Sequence, residues 1–326
     1  MFNKQTNLFI DNNPWRIAGV TGSIIPADRF LTHAQLVSKG IRQRPVEYGH
    51  DIHNAKGMVA YNTVDITDKA FVAGFELEVQ PSDIKTIHAL HHGQAFKSNW
   101  LFLRRDETLN YGGVEFVSIP LPIDYLRYRE MFNFTDSFKE MGIKTDDKNG
   151  FHIHADHNYL TSFRRDDHDN PIPMQLAALE LHHLYYLLSD KFLTALFGRK
   201  CNSFCRSIKG IVDSHYIDLA ADWYKRFGKH IAWPACYYVH PDGGHYAEID
   251  FAGKGNPHTF EFRRGAATLD GDKLYAMMDF VYMICQYIRY NNVFFDGDDK
   301  TYSKFTRVLK NKSHSQLLKA ISEKYL

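Results

Sequence analysis

Residues 75–79 have the sequence Phe-Glu-Leu-Glu-Val, and the same alternation of apolar and polar residues recurs three times later in the chain. The other segments are 114–118 (Val-Glu-Phe-Val-Ser), 151–154 (Phe-His-Ile-His) and 260–263 (Phe-Glu-Phe-Arg). Successive side chains of a β-strand point to opposite faces, so each segment predicts a strand with one apolar and one polar face. Strands of this kind are typical of an antiparallel sheet.

The polar positions of these predicted strands have an unusual composition. An ordinary solvated face would mix Thr, Ser, Lys, Gln and Arg, and a single Glu-x-Glu pair is more often a surface feature than a ligand pair. Here the polar positions are Glu76, Glu78, Glu115, His152, His154, Glu261 and Arg263. Carboxylates and imidazoles are donors for divalent cations, so the four segments together predict a metal site.

Helical periodicity appears after the third predicted strand and again after the fourth. Apolar residues recur at helical spacing over residues 174–197, after Pro171 and Pro173, and over 272–290, where Asp270 or Asp272 can serve as N-cap. A last helical segment is expected beyond residue 299. Strands grouped before and after a central helix favour an α+β fold.

The composition of the 326-residue chain excludes several classes of function. Its formal net charge is +1, which favours neither nucleic acid nor an anionic membrane surface as a partner. Its four cysteines are too few for a disulfide scaffold, and Cys201 with Cys205 forms a poor zinc motif. No signal peptide or transmembrane run is apparent, which predicts a cytoplasmic protein without a membrane partner.

The order of the motifs matches that of a known family. The motifs are Gly-Phe-Glu-Leu-Glu (74–78), Trp100 with Asp106, Gly-Val-Glu-Phe-Val-Ser-Ile-Pro-Leu (113–121), Gly-Phe-His-Ile-His (150–154), and Thr-Phe-Glu-Phe-Arg followed by Thr-Leu-Asp (259–263, 268–270). Over about residues 71–290, the chain resembles the amidoligase family, carboxylate–amine ligases with the fold of glutamine synthetase and glutamate–cysteine ligase. It departs from the family pattern at Thr108, Ile119 and Ala267, none of which is a charged site residue.

The resemblance implies a curved, mainly antiparallel sheet with helices on its convex face and with ATP and one or two Mg²⁺ ions on its concave face. It also implies a two-step reaction between a carboxylate, on a small molecule or peptide, and an amine. ATP phosphorylates the carboxylate, and the amine then displaces phosphate from the acyl phosphate to form an amide. Residues 71–295 would form this catalytic domain, after an N-terminal extension (1–70) and before a C-terminal helical tail (296–326).

Phosphoryl transfer depends on positioning and charge neutralisation, which suits this set of residues. Four glutamates, at positions 76, 78, 115 and 261, supply carboxylates for Mg²⁺, and Arg263 shares the face of Glu261 and suits the transferred phosphoryl group. By resemblance to glutamine synthetase, His152 is the imidazole ligand and His154 a phosphate or substrate contact.

Three further residues are weaker candidates for nucleotide or substrate binding. Glu248 lies on an alternating segment expected to form a hairpin with the Glu261 strand, and an outward-facing carboxylate is an equally good interpretation. Lys254 lies in a Gly-rich loop that could close over phosphates, although a solvated lysine is the simpler interpretation. Arg206 follows the central helix, where related ligases tend to place a nucleotide or substrate arginine.

Two other interpretations stay open at the level of sequence. A metal-dependent hydrolase could use the His-x-His pair and its neighbouring carboxylates to activate water. Alternatively, the chain could be a non-catalytic protein on a decayed ligase scaffold, although every charged position is retained. Residues 1–70 could supply an oligomer contact or a substrate lid.

Overall fold

The computed structural model describes the parts of the chain that carry the predicted strands and helices. The longer described stretches are residues 71–81, 113–118, 132–156, 174–203, 259–291 and 297–326. Shorter ones are 30–32, 58–60, 101–104, 109, 121–122, 158–161, 205–208, 247–250 and 293. Predictions concerning Trp100, Asp106, Thr108 and Lys254 lie outside the described residues.

The fold combines helices with one large antiparallel sheet, as the α+β prediction requires. The strands are numbered in chain order. From one edge of the sheet to the other, the neighbouring strands are β4 (Leu101–Arg104), β5 (Val114–Ser118), β3 (Val72–Pro81), β8 (Gly150–Asp156), β10 (Thr259–Ala266) and β9 (Ile249–Asp250). Two short strands, β6 (Leu121–Pro122) and β7 (Ile143–Lys144), pair with β3, while β1 (Phe30–Thr32) and β2 (Met58–Ala60) pair with each other. All of these pairings are antiparallel.

The four alternating segments are confirmed as strands, and they are neighbours in the sheet. The strands β5, β3, β8 and β10 lie side by side in that order, which differs from their order along the chain. The predicted hairpin partner of β10 is also present as the short strand β9, where Asp250 lies opposite Glu261. One face of the four central strands therefore collects all seven polar positions.

The prediction of one continuous helix over 174–197 is wrong. The segment forms two helices, α3 (Met174–Leu187) and α4 (Asp190–Phe197). Ser189 has extended backbone dihedrals and its hydroxyl accepts a hydrogen bond from the amide of Phe192, at 3.2 Å, so it is the N-cap of the second helix. Apolar spacing continues through both helices, which is why periodicity alone did not indicate the break.

The predicted helix at 272–290 is confirmed as α5 (Gly271–Tyr290), with Asp270 as N-cap. The last predicted helical segment is two helices, α6 (Asp298–Lys312) and α7 (Gln316–Tyr325). Two short helices, α1 (Phe134–Glu140) and α2 (Asn158–Thr161), were not predicted. In the described part of the chain, no helix combines the length and apolar character needed to cross a membrane.

The core lies on one side of the sheet, which we call the apolar face. Its members are Phe75, Leu77, Phe116, Ile153, Phe260 and Phe262, and each is at most 1% exposed. They share one hydrophobic core with residues of α3, α4 and α5, which confirms the predicted packing. Helix α1 adds a contribution that was not predicted, since the rings of Phe116 and Phe138 lie 4.2 Å apart between centroids.

Candidate metal and anion site

The other face of the same strands carries the seven polar residues, which we call the polar cluster: Glu76, Glu78, Glu115, His152, His154, Glu261 and Arg263. The sheet register brings them together. Glu115 lies opposite Glu78 on β5 and β3, Glu76 lies opposite His152 on β3 and β8, and His154 lies opposite Glu261 on β8 and β10. All seven side chains are buried, with at most 8% of any residue exposed.

The polar atoms of the cluster lie within a few ångströms of one another. The Nδ1 atom of His152 is 3.4 Å from Glu76 Oε2 and 3.6 Å from Glu261 Oε1, and its Nε2 atom is 3.7 Å from Glu78 Oε1. His154 Nε2 is 3.4 Å from Glu76 Oε1. The structure thus places ligands from three neighbouring strands around one small volume.

Two overlapping groups have the geometry to hold a metal ion. Glu76, His154 and Glu261 offer ligand atoms within 4.8 Å of one another, and so do Glu76, Glu115 and His152. Glu76 belongs to both groups. Because the second group uses different partners from the first, the arrangement could accommodate two adjacent ions that share one carboxylate.

The polar cluster has four carboxylates and one guanidinium, a charge balance that would favour a bound cation. Glu78 and Glu115 are directly opposite each other, and like charges in that position destabilise a sheet. In addition, Glu76 Oε1 is buried and accepts no hydrogen bond; its distance from His154 Nε2 is that of an ion pair. A buried carboxylate oxygen without a donor is costly unless a cation binds it.

Electrostatic coupling links Glu76 to His154. Burial alone would raise the pKa of Glu76, but the neighbouring imidazoles of His154 and His152 hold it well below its usual value. Burial would likewise lower the pKa of His154, but the carboxylates of Glu76 and Glu261 raise it. Both directions favour an imidazolium beside a carboxylate in the metal-free protein. A metal ion that binds His154 Nε2 would have to displace any proton there.

Arg263 is the only arginine of the polar cluster, and it contacts a predicted metal ligand. Its Nη1 atom donates to Glu261 Oε1, and its Nε atom is buried with no hydrogen-bond acceptor. Although burial opposes the charged form, Glu261 and Glu76 raise the pKa of Arg263, so its positive charge is fixed. A buried guanidinium donor without an acceptor is suited to an oxyanion.

Further contacts orient two residues of the polar cluster, Glu78 and His154. The amide of Gly150 donates to Glu78 Oε2 at 2.5 Å, and a Cβ atom at residue 150 would lie only 2.5 Å from His152 Nε2. A larger residue at position 150 would therefore have to displace the His152 imidazole. On the opposite side, Thr259 Oγ1 lies 3.4 Å from His154 Nδ1 and can fix the orientation of the imidazole that faces Glu76.

The weaker candidates lie elsewhere or have other partners. Glu248 is buried, and its carboxylate accepts from the amide of Ile208 at 2.7 Å and from Arg264 Nη1 at 2.8 Å. These contacts give Glu248 a structural function next to the cluster. Arg206 is exposed, and its carbonyl accepts from the amide of Glu248. The carbonyl of Glu248 accepts from the amide of Arg263 at 3.0 Å, so the backbone of Glu248 meets the polar cluster while its carboxylate binds Ile208 and Arg264.

Two residues near the cluster were not selected from the sequence. Asp250 is buried opposite Glu261, and its charge contributes to the raised pKa of Arg263. The sequence could have indicated Asp250, because it follows Glu248 at strand spacing in the predicted hairpin. Arg199 donates to the carbonyl of Arg263 at 2.8 Å. No sequence pattern marked Arg199, since this contact depends on the end of α4 meeting β10.

The arrangement as a whole can bind one or two cations through carboxylates and imidazoles, and an anion through Arg263. No family model matches this chain, and no curated protein matches it at a significant level. The function of the site therefore rests on its own geometry and on the motifs that form it.

Proposed function

We propose that the protein is an ATP- and Mg²⁺-dependent carboxylate–amine ligase with a glutamine synthetase-like fold. It would join a carboxylate, on a small molecule or peptide, to an amine through an acyl phosphate. One observation supports this proposal above the others: in the same buried cluster Glu76 Oε1 accepts no hydrogen bond, its contact with His154 being an ion pair at 3.4 Å, and Arg263 Nε has no acceptor. A cation beside Glu76 together with an oxyanion beside Arg263 would give both atoms partners, and a metal-bound phosphate is such a ligand.

The residues of the cluster have separate functions in this proposal. Glu76, Glu78, Glu115, His152 and Glu261 would hold the metal, and Arg263 would donate to the oxygens of the phosphoryl group during transfer. Bound ATP and Mg²⁺ supply the phosphoryl group and neutralise its negative charge. Because the cluster is buried within a sheet, its donors are fixed before the substrate arrives, which is the condition for strong electrostatic catalysis.

The contact between Arg263 and Glu261 suggests that metal would bind before phosphate. Glu261 Oε1 faces both Arg263 Nη1 and His152 Nδ1, so a metal ion bound to this oxygen would compete with the guanidinium. Metal binding would release Arg263 from Glu261 and leave its donors available to phosphate. A metal-dependent hydrolase has no need for a buried guanidinium beside its metal ligands, which favours the ligase.

The test begins with binding and continues with turnover. The full chain, stripped of metal with a chelator, is titrated with Mg²⁺ and then with ATP by calorimetry, and ADP release is measured over a matrix of amino acids, polyamines and peptides. We expect ATP to bind only with metal, and ADP release to require one acid–amine pair. Glu76→Gln should abolish both ATP binding and ADP release. Glu140 is an exposed carboxylate of α1, so Glu140→Gln should leave ATP binding and ADP release unchanged.

Each other outcome opposes the proposal. Metal binding without ATP binding, together with metal-dependent hydrolysis of ester or amide substrates, would favour the hydrolase. Binding of neither metal nor ATP by the parent protein would favour the non-catalytic scaffold.

A further inference from the structure

Arg199 connects the two strands that carry most of the polar cluster. Its Nη2 atom donates to the carbonyl of Arg263 at 2.8 Å, and its Nε atom donates to the carbonyl of Arg264 at 3.3 Å. Its Nη1 atom lies 3.5 Å from the carbonyl of Asn149, the residue before β8. One guanidinium therefore holds the end of β10 against the start of β8.

The carbonyls that Arg199 binds lie where the sheet is irregular. The register between β10 and β8 shifts between Phe262 and Gly265, which leaves Arg263 and Arg264 without a partner residue on β8. Gly265 lies so close to Phe151 that a Cβ atom at residue 265 would overlap the carbonyl oxygen of Phe151. A bulge of this kind interrupts ladder hydrogen bonds and redirects side chains, so its carbonyls need other donors.

The end of helix α4 places Arg199 at the bulge. Gly198 has a φ of 78°, a left-handed conformation that ends the helix and turns the chain. Arg199 is the next residue, and burial lowers its pKa. A guanidinium is well suited to this place because its planar set of N–H donors can reach several carbonyls at once, which an ammonium group cannot do.

The bulge determines which way Arg263 points. Arg263 lies within the register shift of β10, and its guanidinium reaches Glu261 in the polar cluster. We propose that Arg199 is a positioning residue for Arg263: by binding the bulge carbonyls, it fixes the direction in which the Arg263 guanidinium enters the polar cluster. Its effect on turnover rests on the proposed ligase function, but its effect on Arg263 does not.

The first test needs no ligand. In protein labelled with ¹⁵N-arginine, the Nε–H signal of Arg263 is assigned by its loss in Arg263→Lys. We expect this proton to exchange slowly in the parent and about tenfold faster in Arg199→Met, because one charged hydrogen bond of about 1.5 kcal/mol corresponds to that factor. Arg199→Lys, which can still donate to one carbonyl, should be intermediate. Lys200→Met removes an exposed cation from the next position and should leave the signal unchanged.

The second test measures whether Arg199 acts through Arg263. With the acid–amine pair found above, Arg199→Met should lower kcat about tenfold and leave KM for ATP nearly unchanged. The double variant Arg199→Met/Arg263→Ala should be no slower than Arg263→Ala alone, because a residue that acts through another adds nothing once that residue is gone. Thermal unfolding of every variant identifies temperatures at which all remain folded.

The results that overturn the inference are distinct from those that overturn the ligase. Arg199→Met could change stability while the Nε–H proton of Arg263 exchanges at the same rate as in Lys200→Met. In that case Arg199 is only a structural residue. Additive rate losses in the double variant would also reject positioning. If the parent releases no ADP with any acid and amine, the ligase proposal fails, and proton exchange of Arg263 alone decides the function of Arg199.

Discussion

The apolar face and the polar cluster alternate along the same four strands, and both are buried, yet their contributions to the fold are opposite. Side chains of the apolar face contact other apolar groups throughout the core, so each adds to stability. The polar cluster places Glu78 opposite Glu115 and buries atoms of Glu76 and Arg263 without hydrogen-bond partners. The apolar face is packed within the chain, whereas the polar cluster retains buried polar atoms that a charged ligand could bind.

The largest effect is expected on the apolar face. Phe116→Ala should lower the free energy of unfolding by about 3–5 kcal/mol, because it removes a fully buried ring packed against Phe138. The measurement is urea unfolding in the presence of a chelator. Glu115→Gln, the adjacent residue, is the matched control. It should change stability by less than about 1 kcal/mol, since it relieves repulsion with Glu78. Equal losses in the two variants would contradict the comparison.

The next effect concerns catalysis by the polar cluster. Arg263→Ala should reduce ADP release by about 10²–10³, the usual cost of losing one donor aimed at charge in the transition state. ATP and metal should still bind, because the carboxylates and imidazoles remain. Calorimetry measures the binding and a coupled assay the turnover. A parent-like rate in this variant would show that Arg263 does not contact the phosphoryl group.

Metal binding at the polar cluster should raise the free energy of unfolding. With Mg²⁺ or Mn²⁺ at about 100 times its dissociation constant, the parent should gain about 2.7 kcal/mol in the free energy of unfolding. Glu76→Gln should lose this gain, because Glu76 belongs to both candidate metal groups. Glu140→Gln should retain it. If chelator and metal give the same unfolding curve for the parent, the cluster is not a metal site under those conditions.

The smallest effect is a pH dependence of the metal-free protein. The pKa of His154 is raised in the folded state above its ordinary value of 6.5, so its pairing with Glu76 stabilises the fold fully below that pH. This contribution is lost as the pH rises through the folded-state pKa. The stability difference between the parent and His154→Asn should therefore shrink as the pH rises from about 6 past neutrality. A difference that grows over this range would mean that the imidazole is neutral in the folded protein.

The strands of the sheet were predictable from sequence because their periodicity is simple. Alternation identified β3, β5, β8 and β10. It also assigned Phe75 and Phe262 to the apolar face and Glu76 and Glu261 to the polar face. The helices were predicted less well: the break at Ser189 was missed because apolar spacing continues across it. Helix α1 was missed because seven residues are too few for a convincing helical period.

The sequence by itself determined which side chains share a face of each strand, because the direction of successive side chains in a strand is a local property of the backbone. Only the tertiary structure decided that β3 lies between β5 and β8, that Glu78 meets Glu115, and that Asp250 lies opposite Glu261. Strand order and register follow from the packing of distant segments. For the same reason, the contact of Arg199 with the bulge of β10 could not be predicted: residues 64 positions apart meet there only because the end of α4 packs against the sheet.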